Sequence, residues 1–135
     1  MTQAAQDEPT VYQVRLAEDA ARQIDDEWRR PAEARGTAFA DTWRVDLRTA
    51  LASLATLPGR CPPAPENSVY RQAQPGGTLR QLLYRRRSSG PIWRLLFTPH
   101  EQTANDPPTV HIHQVRHGGQ SPLTQWPAPA DDPEA

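Results

Sequence analysis

Leu79-Arg80-Gln81-Leu82-Leu83-Tyr84-Arg85-Arg86, then Ser88-Ser89-Gly90-Pro91, then Ile92-Trp93-Arg94-Leu95-Leu96-Phe97-Thr98: the reading of this stretch decides the fold. Two runs rich in branched and aromatic residues are separated by residues that favour a turn, which predicts a β-hairpin. Side chains alternate along a strand, so Arg80, Leu82 and Tyr84 share one face, opposite Gln81, Leu83 and Arg85. A third strand is expected at Val110 to Arg116, after the polar loop Pro99 to Thr109. The spacing of His111 and His113 sets both imidazoles on one face of it, and they are read as polar positions on the open side of the sheet.

Upstream of the hairpin, Arg60 to Gly77 reads as a loop. Cys61-Pro62-Pro63-Ala64-Pro65 is too rich in proline for a helix or an inner strand, and Val69 and Tyr70 are expected to form at most a short edge strand. Before it, Phe39, Trp43, Leu47, Ala50, Leu51 and Leu54 recur at three- and four-residue steps. That pattern predicts a helix with Thr37 as its N-cap and Pro58-Gly59 as its stop. Ala17, Ala20, Ala21, Ile24 and Trp28 predict a preceding helix, which Pro31 should stop or bend. Tyr12, Val14 and Leu16 alternate with Gln13 and Arg15, so Val11 to Leu16 is expected to be the first strand. Trp28, Trp43 and Trp93 are expected to pack between helices and sheet. The order is β-α-α-β-β-β. Segregated helices and strands predict an α+β domain, a small antiparallel β-sheet packed against an N-terminal helical hairpin. The domain is expected over 11–123, with disordered tails at 1–10 and 124–135 that are rich in proline and acid.

The chain has 135 residues and a formal net charge of −1. All 15 basic residues are arginines, lying between Arg15 and Arg116. Five acids sit near the ends, so the span from Arg15 to Arg116 has 11 acids and a net charge of +4. From Arg60 to Arg116, eight arginines face Glu66, Glu101 and Asp106. A basic half of this kind points to a polyanion or an acidic protein partner. The single cysteine, Cys61, allows no internal disulfide and suits a reducing compartment. Met1 to Thr10 carries no apolar secretory core, and no apolar run approaches the ~20 residues needed to span a bilayer. A soluble, cytoplasmic protein with no membrane partner is expected.

Four stretches, in order, carry a resemblance: Arg60-Cys61-Pro62-Pro63-Ala64-Pro65-Glu66, Leu79-Arg80-Gln81-Leu82-Leu83-Tyr84, Trp93-Arg94-Leu95-Leu96-Phe97 and Val115-Arg116-His117-Gly118. They resemble the cysteine-proline loop, the two central strands and the closing Arg-His-Gly of the RelE/ParE superfamily of toxins from type II toxin–antitoxin systems. The resemblance spans roughly Val11 to Leu123. It implies a small sheet against a helical hairpin and a cognate antitoxin as partner. It also implies one of two activities, ribosome-dependent cleavage of mRNA or inhibition of DNA gyrase by binding. A third outcome is a relative that has kept antitoxin binding alone.

Metal-independent RNA cleavage needs a base, an acid and cations that neutralise charge building on phosphorus. Arginine suits the last task, because its planar fork matches phosphate oxygens. Arg80, Arg94 and Arg116 lie on three successive predicted strands, and His117 is the candidate proton carrier, because an imidazole is the side chain that intrinsically gains and loses a proton near neutral pH. On this reading His117, Arg94 and Arg80 carry catalysis, while Arg116, Tyr84 and Arg86 hold the substrate. No metal or cofactor is expected. The chain departs from the family pattern at Gln120, where relatives commonly have a basic residue. No tyrosine follows the last strand either, so Tyr84 would have to substitute. An acidic antitoxin should bind the basic half with an affinity that weakens as salt rises.

Overall fold

In the computed structural model, residues 10–85 and 92–127 are described. Residues 1–9 of the tail expected at 1–10, the hairpin turn, Arg86 and the chain beyond 127 lie outside them. Strand β1 is Gln13–Leu16, followed by helices α1, Glu18–Arg35, and α2, Thr37–Ala52. A short helix α3, Asn67–Ala73, precedes strands β2, Arg80–Arg85, β3, Ile92–His100, and β4, Thr109–His117. The architecture is α+β, with helices packed on a four-stranded sheet of order β1-β4-β3-β2.

The sheet is mixed rather than wholly antiparallel. β2, β3 and β4 are antiparallel neighbours, but β1 pairs parallel to β4, with Val14 opposite Val110 and Leu16 opposite Ile112. β1 covers only the first half of β4. The second half meets α1, where the Val115 N–H donates to Gln23 Oε1 at 2.7 Å and Gln23 Nε2 donates to Gln114 Oε1 at 2.6 Å. A side-chain amide thereby satisfies strand groups that no neighbouring strand reaches. The register shifts between Leu96 and Phe97, where a bulge in β4 turns both Ile112 and Val115 toward the helices.

Three other details differ from the sequence reading. α1 runs through Pro31 and ends at Arg35, so the helix tolerates the missing N–H. α2 is entered from Gly36, whose φ of 93° suits a residue without Cβ, and Thr37 is its first residue rather than a side-chain cap. The predicted loop contains α3, where a short edge strand was expected at Val69 and Tyr70.

The main core lies between the helices and one face of the sheet. It unites Ile24, Trp43, Leu47, Leu51 and Leu54 with Trp93, Leu95, Phe97, Val110, Ile112 and Val115. Trp43 and Trp93 meet at a ring separation of 5.6 Å, as their apolar spacing predicts, and Trp28 packs at the margin. The hairpin of α1 and α2 is clamped at its surface. Arg44 pairs with Asp25 at 2.7 Å and lies over the Trp28 ring, whose Nε1 donates to Asp41 at 3.0 Å.

A second, smaller core forms on the other face from Ala64, Tyr70, Leu79 and Leu96, with Trp126 packed against it. β3 is therefore covered on both sides, which is why Trp93 to Phe97 reads as an unbroken apolar run around Arg94. Packed structure reaches past Leu123 to Trp126, into the stretch expected to be a free tail. Among the described residues no helix is long and apolar enough to cross a membrane.

Candidate functional site

Arg94 is the only arginine among the buried residues described, at 7% exposure. Its guanidinium forms a two-pronged pair with Glu66: Nη1 reaches Oε2 at 2.9 Å, and Nη2 bonds Oε1 more closely still. Nε donates to Gln81 Oε1 at 3.0 Å. Glu66 is fully buried, and its Oε2 also accepts the Leu123 N–H at 3.2 Å. Burial pushes the Glu66 carboxyl up, but the Arg94 hydrogen bonds, the Leu123 N–H and the Arg94 charge outweigh it and hold the group below its ordinary value. One ion pair thus ties the end of the proline-rich segment, β3 and the chain after β4 together.

Arg116 lies beside Arg94 across the β3–β4 pair, and its Nη2 donates to the Ser121 carbonyl at 2.9 Å. Burial, with the Arg94 charge nearby, lowers its pKa despite the opposing pull of Glu66. Arg80 falls on the other face of β2 from Gln81, and its Nη1 donates to the Cys61 carbonyl at 2.6 Å. Tyr84 is half-buried and packs against the main core. Arg86 lies outside the described residues.

His117 pairs with Trp93 in the register, one position out of phase with Arg94 and Arg116, so alternation turns it to the opposite face. Arg80 shares that face but stands opposite Phe97, four residues farther along β3, roughly 13 Å at strand spacing. The structure brings Arg94 and Arg116 together with Glu66 and Gln81; it brings neither beside His117. The imidazole is exposed, sits edge-on to Trp93 at 5.2 Å, and accepts the Gly119 N–H on Nδ1 at 3.0 Å. A backbone N–H can only donate, so neutral His117 carries its proton on Nε2. Its Nε2–H can donate a hydrogen bond outward, while its accepting nitrogen is occupied by the Gly119 N–H. Gln120 Oε1 takes the His117 backbone N–H at 2.8 Å, and Gly118 must be glycine because a Cβ there would stand 2.8 Å from the Ile92 carbonyl oxygen.

A separate cleft of about 540 Å³ opens where the first turn of α1, α3, the ends of β3 and β4, and Trp126 meet. His100, His111 and His113 line it, with Glu18, Asp19, Tyr70 and Gln114. The Thr98 hydroxyl lies 3.0 Å from His100 Nε2 and 2.8 Å from His113 Nε2. His113 is flanked by the Tyr70 and Trp126 rings at 5.5 and 5.8 Å. Burial, then the charges of His111 and His100, lowers its pKa to about 4. Burial also lowers that of His111, helped by His100 and Arg15. Sequence periodicity placed His111 and His113 on one strand face; their convergence with His100 depends on the β3–β4 register and has no local signal. Among the described residues no three His, Cys, Asp or Glu side chains are grouped so as to hold a metal.

Neither a protein-family model nor a curated protein sequence matches this chain.

Proposed function

We propose that this protein is the toxin of a type II toxin–antitoxin pair, of the RelE/ParE kind, and that it acts by binding its target rather than by cutting RNA. The toxin reading is supported by the four ordered sequence stretches and by an element order that agrees with what they imply. Agreement of fold alone does not choose an activity. The choice is carried by one observation: the three described guanidinium groups proposed to handle phosphate already bond to the protein itself. Arg94 is held by Glu66 and Gln81, Arg80 by the Cys61 carbonyl, and Arg116 by the Ser121 carbonyl. A phosphate would have to displace a buried carboxylate from Arg94, leaving that charge unpaired, which costs several kcal/mol.

The target on this reading is DNA gyrase, and the partner is a cognate antitoxin, acidic enough to complement the basic half of the chain. Ribosome-dependent mRNA cleavage is the second reading, supported by the outward Nε2–H of His117 at the end of β4. A supercoiling assay beside total-RNA profiling after brief expression without the antitoxin separates the two. The binding reading expects lost supercoiling and intact messages. Breaks within translated messages that vanish in His117→Ala would overturn it in favour of the nuclease.

A further inference from the structure

The chain after β4 folds back across the sheet face that the helical hairpin leaves open. Among the described residues, its contacts include Arg116 on the Ser121 carbonyl, Glu66 on the Leu123 N–H, and Trp126 on Tyr70 and His113. The last rests on an imidazole, which can gain a proton in mild acid, while the Glu66 carboxyl in the second is held below its ordinary value. Trp126 also forms part of the wall of the histidine-lined cleft.

Thr98 is 1% exposed and carries one hydroxyl proton. With His100 Nε2 and His113 Nε2 both in reach, the hydroxyl can donate to one imidazole while accepting an N–H from the other. The arrangement is satisfied when one of the two nitrogens bears a proton. If both do, two N–H groups compete for one oxygen, and the buried hydroxyl proton loses its acceptor. Leaving such a group unmet is unfavourable. The groups around His113 make the extra proton less welcome still. His100 on β3 and His111 on β4 repel it, the Tyr70 ring on α3 and the Trp126 ring shut out water, and Arg15 on β1 lies beside His111. Glu18 and Asp19 on α1 line the same cleft and favour the charge, but Asp19 is paired with Arg22 at 2.7 Å.

We propose that Thr98, His100 and His113 form an acid-sensitive latch: while His113 is neutral it holds Trp126 over the cleft, and its protonation releases Trp126 and opens the cleft. The latch is independent of the toxin reading. The only bond that forms is an N–H bond on the His113 ring, and its proton comes from solvent.

The test follows the Trp126 indole N–H by NMR on the full chain from pH 7 to 3.5, assigned by its loss in Trp126→Phe. The expected result is a shift of that signal centred near pH 4, with the Trp43 and Trp93 indole signals and the far-ultraviolet circular dichroism unchanged. His113→Gln should abolish the shift. His100→Ala should move its midpoint upward, because a repelling neighbour and a rival N–H are both removed. The latch is refuted if Trp126 moves only together with Trp43 and Trp93 as the whole fold melts, or if His113→Gln responds as the parent does. Should His113→Gln fail to fold, the His100→Ala midpoint decides: one that is unchanged or lower rules the latch out.

Discussion

Glu66 is the residue on which most depends. It has no exposed surface, yet it answers both prongs of Arg94 and the Leu123 N–H. Removing one partner of a buried pair leaves the other uncompensated, which costs about 3–5 kcal/mol. Glu66→Gln should therefore lower the midpoint of urea unfolding sharply. The pH dependence follows from the depressed carboxyl. A group with a lower pKa in the folded state contributes stability above its unfolded value, and that stability is lost as pH falls through the folded one. The melting temperature should drop as pH falls below the ordinary carboxylate range, and Glu66→Gln should flatten that slope. His113 adds a loss of the same sign. It is neutral when folded down to about pH 4, whereas the unfolded group binds a proton near 6.5, so roughly 3 kcal/mol disappears between those values. Neither residue's role was legible in the sequence. Glu66 is 28 positions from Arg94, and no local pattern pairs a carboxylate after a proline run with an arginine in an apolar strand.

Among the elements, those with strong local periodicity were read correctly: the two long helices, the hairpin strands and β4. Pairing partners were not legible. β1 runs parallel to β4 because α1 and α2 carry the chain across the sheet, and nothing in Val11 to Leu16 encodes that choice. α3 was hidden because seven residues with only Val69 and Tyr70 as large apolar side chains give too short a helical signal, and the prolines before it argue for a loop. Pro31 misled in the opposite sense. α1 continues through it, so this position carries the penalty of a helix lacking one N–H donor. Pro31→Ala should raise the melting temperature, a gain of at most about 3 kcal/mol, measurable by calorimetry. No change would mean that the missing N–H at Pro31 carries no penalty in this helix.

For the molecule as a whole, catalysis by Arg94, Arg80 and His117 with Arg116 would need these groups on one face, and the sheet does not gather them there. Alternation sends Arg94 and Arg116 to one face and His117 to the other, and strand phase could not be known before the β3–β4 register was fixed. The proposed function therefore predicts that His117→Ala remains as toxic in growth assays without antitoxin as the parent chain. Loss of toxicity with the fold intact would return the argument to RNA cleavage. The electrostatic asymmetry belongs to this scale too. On the proposed function, affinity for an acidic antitoxin should fall steeply between 50 and 500 mM salt, about the range where the Debye length shrinks from over 10 Å to under 5 Å. A flat salt response in a calorimetric titration would remove charge from the account of the partnership.

The segment from Cys61 to Ala64 lies along the outer side of β2, where the Pro62 carbonyl accepts the Gln81 N–H and the Ala64 N–H reaches the Leu79 carbonyl. An uncapped sheet margin invites other chains to add on and polymerise. Here the residues that shield the margin include Pro62, Pro63 and Pro65, none of which has an amide hydrogen to hand onward. Growth of the sheet over Leu79 to Gln81 is blocked there, and a chain with alanine at those three positions would be expected to form fibrils more readily.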